Sequence, residues 1–167
     1  FQAWMPPALA LALLVILAAL LLYRFAWWRP DLGLRRLELA IMYLGYLAIV
    51  LQLLLEILAQ LGVHGWVGSL SMHVFTFGAM GLIIPAMMVR ISLGHTGRKV
   101  VFDRGDRLVI WIMLLAFLVR IVLPQMFPAA YAHWIHLAAG AWLLAFTTLG
   151  VRLTPRLLAP RIDGREH

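Results

Sequence analysis

The sequence predicts an all-α bundle of five transmembrane helices, and three observations carry that reading. Of the 167 residues, 64% are hydrophobic and only 13% charged, against roughly 45–50% and 25% in soluble domains. The apolar residues fall in blocks of about twenty, each long enough as a helix to cross a hydrocarbon core of about 30 Å. The basic residues gather in alternate connections between those blocks, which is the mark of loops on the cytoplasmic side of a membrane. No sheet is expected, because lipid leaves isolated strands unsatisfied and the strict alternation of a barrel strand is absent.

The first span is placed at about residues 5–23. No basic segment precedes it and no small-residue cleavage pattern closes it, so it is not a signal peptide. With Phe1 at the start, the chain reads as a processed product or a segment of a longer membrane protein. The remaining spans are placed at about 37–61, 67–91, 108–123 and 130–151, forming one transmembrane bundle over residues 1–167. Gly78 with Gly81, and Ala141 with Ala145, supply small residues for close helix contacts. Pro85 removes one ladder hydrogen bond from the third span and is expected to kink it toward its basic end.

The connections set the orientation. The first holds Arg24, Arg29, Arg35 and Arg36, the third Arg90, Arg98, Lys99, Arg104 and Arg107, and the tail Arg152, Arg156, Arg161 and Arg165. The second and fourth hold none, so thirteen of the 14 basic residues lie on one side and only Arg120 is out of place. The expectation is an outside N-terminus and a cytoplasmic C-terminus. This pattern accounts for the net charge of +7 with the lipid bilayer as partner and no nucleic acid. Trp27, Trp28, Trp66, Trp111 and Trp134 sit near span ends, where an aromatic belt explains them. With no cysteine, disulfides, iron–sulfur clusters and thiolate-bound metals are excluded.

Ionisable residues inside a membrane mark functional candidates, since each costs about 2.5–3.5 kcal/mol to insert. On the second span Gln52, Glu56, Gln60 and His64 recur every fourth residue, along one drifting face. His73 lies about 10 Å into the third span. Arg120 stands near the end of the fourth, and His133 and His136 share a face at the start of the fifth. Four helices therefore bring a carboxylate, an arginine and several imidazoles to one depth. Neutral imidazole suits iron, copper and zinc, so His73 paired across the bundle with His133 or His136 is the preferred haem-axial or copper set, with Glu56 and Arg120 around it. His133 and His136 can instead chelate one copper, or anchor at the interface beside Tyr131 and Trp134. His73 is either a ligand or a hydrogen-bonded structural residue. Glu56 is either a proton-relay carboxylate or the ion-pair partner of Arg120, the paired option being favoured because unpaired burial is costly. The same groups can also line a proton or anion path of a transporter or channel, with Pro85 as its gate. Met72, Met80, Met87 and Met88 read as apolar filler.

The loop Arg90-Ile91-Ser92-Leu93-Gly94-His95-Thr96-Gly97-Arg98-Lys99 is compact and basic. Gly94 and Gly97 with Arg90 and Arg98 suggest an anion-binding nest, but spacing alone favours a loop meeting lipid headgroups.

The run from His73 through Met87-Met88-Val89-Arg90 to Leu93-Gly94-His95-Thr96-Gly97-Arg98 resembles the NnrS family, and Arg120, Trp142 to Phe146 and the tail Pro160 to Arg165 extend the resemblance. It implies a polytopic protein of the bacterial inner (cytoplasmic) membrane with about a dozen helices, of which this chain is the C-terminal part, packed against the remaining helices. It also implies haem b, copper and a role in the response to nitric oxide during denitrification or nitrosative stress, with nitric oxide as ligand; it implies no defined catalytic reaction. Residues matching the family motif are His73, Arg90, Gly94, His95, Thr96, Gly97, Arg98 and Arg120; His133 and His136 are not matched. His95 is expected about 33 Å of helix from His73, too far to share a metal.

Overall fold

The computed structural model describes residues 6–162 and 164, with the side chain of Leu32 left aside. Residues 1–5, Asp163 and residues 165–167 lie outside that description, and with them the predicted start of the first span. Five long apolar helices account for the fold: α1 (Pro7–Trp27), α3 (Leu37–Gln60), α4 (Leu70–His95), α5 (Arg104–Met126) and α6 (Tyr131–Leu158). A single turn, α2 (Pro30–Gly33), lies between the first two, and the described residues contain no strand.

Several helices run past the predicted limits, chiefly at their basic ends: α1 to Trp27, α4 to His95, and α6 to Leu158, while α5 begins at Arg104. Charged residues end an apolar window without ending a helix, and arginine stems keep good helix propensity while their heads reach outward. Pro124 does not close α5 either. It lies inside the last turn, where its missing amide leaves only the Arg120 carbonyl without a helical donor.

Inside α4 the backbone widens into a π-helical segment, Val74–Met80, in which the Gly81 amide donates to the Thr76 carbonyl. The irregularity therefore lies on the other side of Pro85 from the predicted kink. A proline ring crowds the carbonyl four residues earlier, here that of Gly81, the first residue after the wide turn. The change of helix type brings that strain to a place where the ladder is already open.

The main core fills the basic half of the bundle and includes Ile41, Leu82, Val89, Phe102, Ile110, Met113 and Leu149. The other half is held by a smaller cluster of Ala48, Val74 and Ala79. As the small residues suggested, α3, α4 and α5 meet closely at Gly78, where an added Cβ would overlap both Ala48 and Phe117, and Ala145 is fully buried. The most extensive pairing is α5 with α6, and α1 packs on α3 alone to any extent. At the basic end two tyrosines of α3 tie down the chain of α1: Tyr43 Oη donates to the Trp28 carbonyl at 2.8 Å and Tyr46 Oη to that of Leu21 at 2.9 Å.

Candidate functional site

At the end of the bundle opposite the basic loops, α4 and α5 bring His73 and Arg120 into contact. His73 lies in the first turn of α4, only three residues or about 5 Å of rise from its start. This is shallower than the depth read from the apolar block, because residues 67–69 are not helical.

Hydrogen bonding fixes the tautomer of His73. Its Nδ1 is 2.8 Å from the Ser69 carbonyl, which can only accept, so Nδ1 carries the proton. Nη2 of Arg120 is 2.9 Å from Nε2, and a guanidinium can only donate, so Nε2 offers its lone pair. The ring is therefore neutral. Arg120 is only 6% exposed, and its other close partner is the face of Tyr131, 5.8 Å from Cζ to the ring centroid.

The loop above this pair is held down at two points. The Gln125 amide accepts from the Val67 amide at 2.7 Å and donates to the Val67 carbonyl at 3.0 Å, tying loop to helix end. Gly68 takes a positive φ of 66°, and a Cβ there would overlap the Tyr131 hydroxyl. Glycine is needed for both reasons.

Glu56 reaches the same layer but not Arg120. Its carboxylate accepts a short hydrogen bond from Ser71 Oγ, and no ion pair joins Glu56 to Arg120 among the described residues. The expected pairing is thus replaced by two neutral-to-charged contacts, Ser71 to Glu56 and Arg120 to His73. Equal depth on two helices does not give equal azimuth, and Ser71 lies nearer the face of α3 that carries Glu56.

His133 and His136 are exposed on the outward side of α6, away from buried Ala138. His64 is also exposed, its ring 6.2 Å from that of Trp66, which suits an interfacial residue. No three histidines or carboxylates come together as a metal-holding group among the described residues. The arrangement fits one ligand of a metal centre, His73, whose Nδ1–H is pinned by a carbonyl as in metal-bound histidines. It does not fit a closed haem or copper site, since Nε2 is taken up by Arg120 and no second imidazole faces it among the described residues.

The glycine-rich loop has a structural explanation. Gly97 caps α4 with a φ of 72°, and the Arg98 amide donates to the Leu93 carbonyl at 2.9 Å, the pattern of a left-handed helix stop. Thr96 is buried; its Oγ1 donates to the Ser92 carbonyl at 2.8 Å, and its own carbonyl accepts from the Ile162 amide at 3.2 Å. Arg98 reaches the Arg156 carbonyl at 3.5 Å, while Gly94 and His95 are exposed and Arg90 half-buried. These contacts tie the loop to the tail rather than assembling a nest of amides.

Sequence reasoning missed the ion network beside this loop. Asp103 and Asp106 form a reciprocal cap at the start of α5, with the Asp106 amide donating to Asp103 Oδ1 at 2.9 Å. Arg152 and Arg156, one turn apart on α6, bind both carboxylates: Arg152 Nη2 is 2.5 Å from Asp103 and Arg156 Nη1 is 3.1 Å from Asp106. The Asp-x-x-Asp spacing before an apolar run was the signal available. Burial pushes the Asp103 carboxyl up, but the Asp106 amide, Arg152, Arg156 and the Gly105 amide together hold it below its ordinary value.

A group so lowered stabilises the fold above the unfolded carboxylate value and loses that contribution as pH falls through the folded one. The thermal midpoint of the wild type should therefore drop as pH falls below about 4, and that of Asp103→Asn should drop less. Parallel pH curves for the two proteins would remove Asp103 as a source of the acid sensitivity.

Against known proteins, the family model described as NnrS protein matches residues 1–161. No curated protein and no solved structure matches the chain.

Proposed function

The chain belongs to the NnrS family, and on that premise we propose that the His73–Arg120 layer is the working centre of this multi-pass membrane protein of the nitric oxide response. Orientation belongs to the same proposal: the basic loops face the cytoplasm of a bacterial inner membrane, so the His73 layer opens to the outer leaflet. The observation that supports the site is the state of His73. It is neutral, with one nitrogen held by the Ser69 carbonyl and the other presenting its lone pair at a buried cation.

His73 is the residue that would hold the haem b the family implies, or copper, and a bound haem supplies an iron to which nitric oxide can attach. Arg120 would have to leave Nε2 for that, which makes the arginine the competitor for the lone pair. The remaining ligand is not supplied by a described residue facing His73; His133 and His136 contribute only where another helix or chain covers their side of α6. Nitric oxide is apolar and partitions into the bilayer, so a centre among helices meets it there.

The test is spectroscopic, on the full-length protein. Reduced-minus-oxidised spectra should show a Soret band that shifts on nitric oxide titration, and His73→Ala should lose most of the haem while retaining the helical signal in circular dichroism. Unchanged haem content in the folded variant would remove His73 as a required ligand.

A further inference from the structure

The buried charge of Arg120 calls for a counter-charge that the described residues do not bring to it. Its guanidinium stays protonated under all ordinary conditions and is 6% exposed. It sits six residues, about 9 Å of rise, before the end of α5. Its two partners are neutral: His73, which accepts only because its proton is on Nδ1, and the ring face of Tyr131. Glu56 is the carboxylate of that layer; it is engaged by Ser71 and does not ion-pair with Arg120.

The donor geometry says what would complete the site. A guanidinium presents two edges of parallel N–H bonds, and each Nη2 hydrogen belongs to one of them. His73 takes one Nη2 hydrogen, which spoils one edge and leaves the other whole. Two parallel donors match a planar, singly charged oxyanion held bidentately. The loop is tied down over the pair through Gln125 and Val67, and Tyr131 lies against one face of the cation.

We propose that Arg120, flanked by His73 and Tyr131, binds a small planar monoanion of the carboxylate or nitrate shape. The proposal stands on charge and donor geometry and does not depend on haem at His73. In this setting the neutral His73 positions the guanidinium edge, the anion neutralises it, and Glu56 stays apart on Ser71.

The probe is formate, followed by saturation-transfer NMR on the protein as purified and reconstituted in zwitterionic lipid nanodiscs, with nitrate as competitor and inorganic phosphate as the tetrahedral comparison. Formate should bind saturably, be displaced by nitrate, and be little affected by phosphate. Arg120→Lys, which keeps the charge without the fork, should weaken binding about tenfold, and Arg120→Gln should abolish it. Glu56→Gln should bind formate at least as well as the wild type. Should Arg120→Gln fail to fold, Arg120→Lys carries the test. No saturable binding in the wild type, equal binding in Arg120→Lys, or binding that first emerges in Glu56→Gln would each overturn the proposal, the last by showing that Glu56 already serves as the counter-charge. Haem content is read on His73→Ala and formate binding on the Arg120 variants, so the two readings fail separately.

Discussion

Asp106→Ala should be among the most damaging single substitutions in the chain, lowering stability by about 3–5 kcal/mol, the usual cost of stripping one partner from a buried ion pair. The Asp106 side chain is 1% exposed and accepts from both Arg152 and Arg156. It also accepts a hydrogen bond from the Asp103 amide at 3.3 Å, so its loss removes half of the cap on α5 as well. Two arginines would then share Asp103 alone, beside Gly105, where a side chain would overlap the Arg152 guanidinium. Asp106→Asn should fall between the two, because an amide oxygen still caps the helix but no longer carries charge. Unfolding in detergent followed by circular dichroism measures the effect; an Asp106→Ala protein within about 0.5 kcal/mol of wild type would show that the network adds nothing to the fold.

The second large effect concerns the opposite end and is a matter of sign as much as size. His73→Leu leaves a buried guanidinium without its hydrogen-bond acceptor, and leaving a buried charged donor unsatisfied costs about 3 kcal/mol. Arg120→Leu leaves only a neutral imidazole still bonded to the Ser69 carbonyl, and should cost much less. The double variant should recover most of the loss of His73→Leu, giving a coupling energy of about 1–3 kcal/mol in a double-mutant cycle. Additive losses would mean that the contact at 2.9 Å carries no energy in the bilayer.

A shared layer was legible in the sequence, although His73 lies shallower in it than counted, and direction was not. Counting residues from the span ends placed Glu56, His73 and Arg120 in one layer, and the structure keeps them there. Which of them touch depends on how each helix is rotated about its axis, and a stripe of polar residues four apart leaves that rotation open by tens of degrees. Hence Glu56 was expected against Arg120 and is found on Ser71. The small residues at Gly78 and Ala145 were readable because close approach in lipid requires them. The helix ends at Arg104 and Leu158 were not, since apolar windows stop where charge begins and helices do not. The family motif around Gly94 to Arg98 was recognisable as a pattern, but its work at Gly97 is to stop a helix.

The wide turn in α4 also ties chain length to aim. A π-helical turn holds one more residue than the α-helical turn it replaces, and one residue of α-helix corresponds to about 100° of rotation. Deleting a residue between Val74 and Met80 would let the ladder close into regular α-helix, a local gain. The same residues wound as regular α-helix with none deleted would instead swing His73 about a quarter-turn around the axis, away from α5 and toward a different neighbour. The irregular backbone is in that sense a gear: it lets the basic half of α4 keep its packing while the other end points its imidazole where a uniform helix of the same sequence would not.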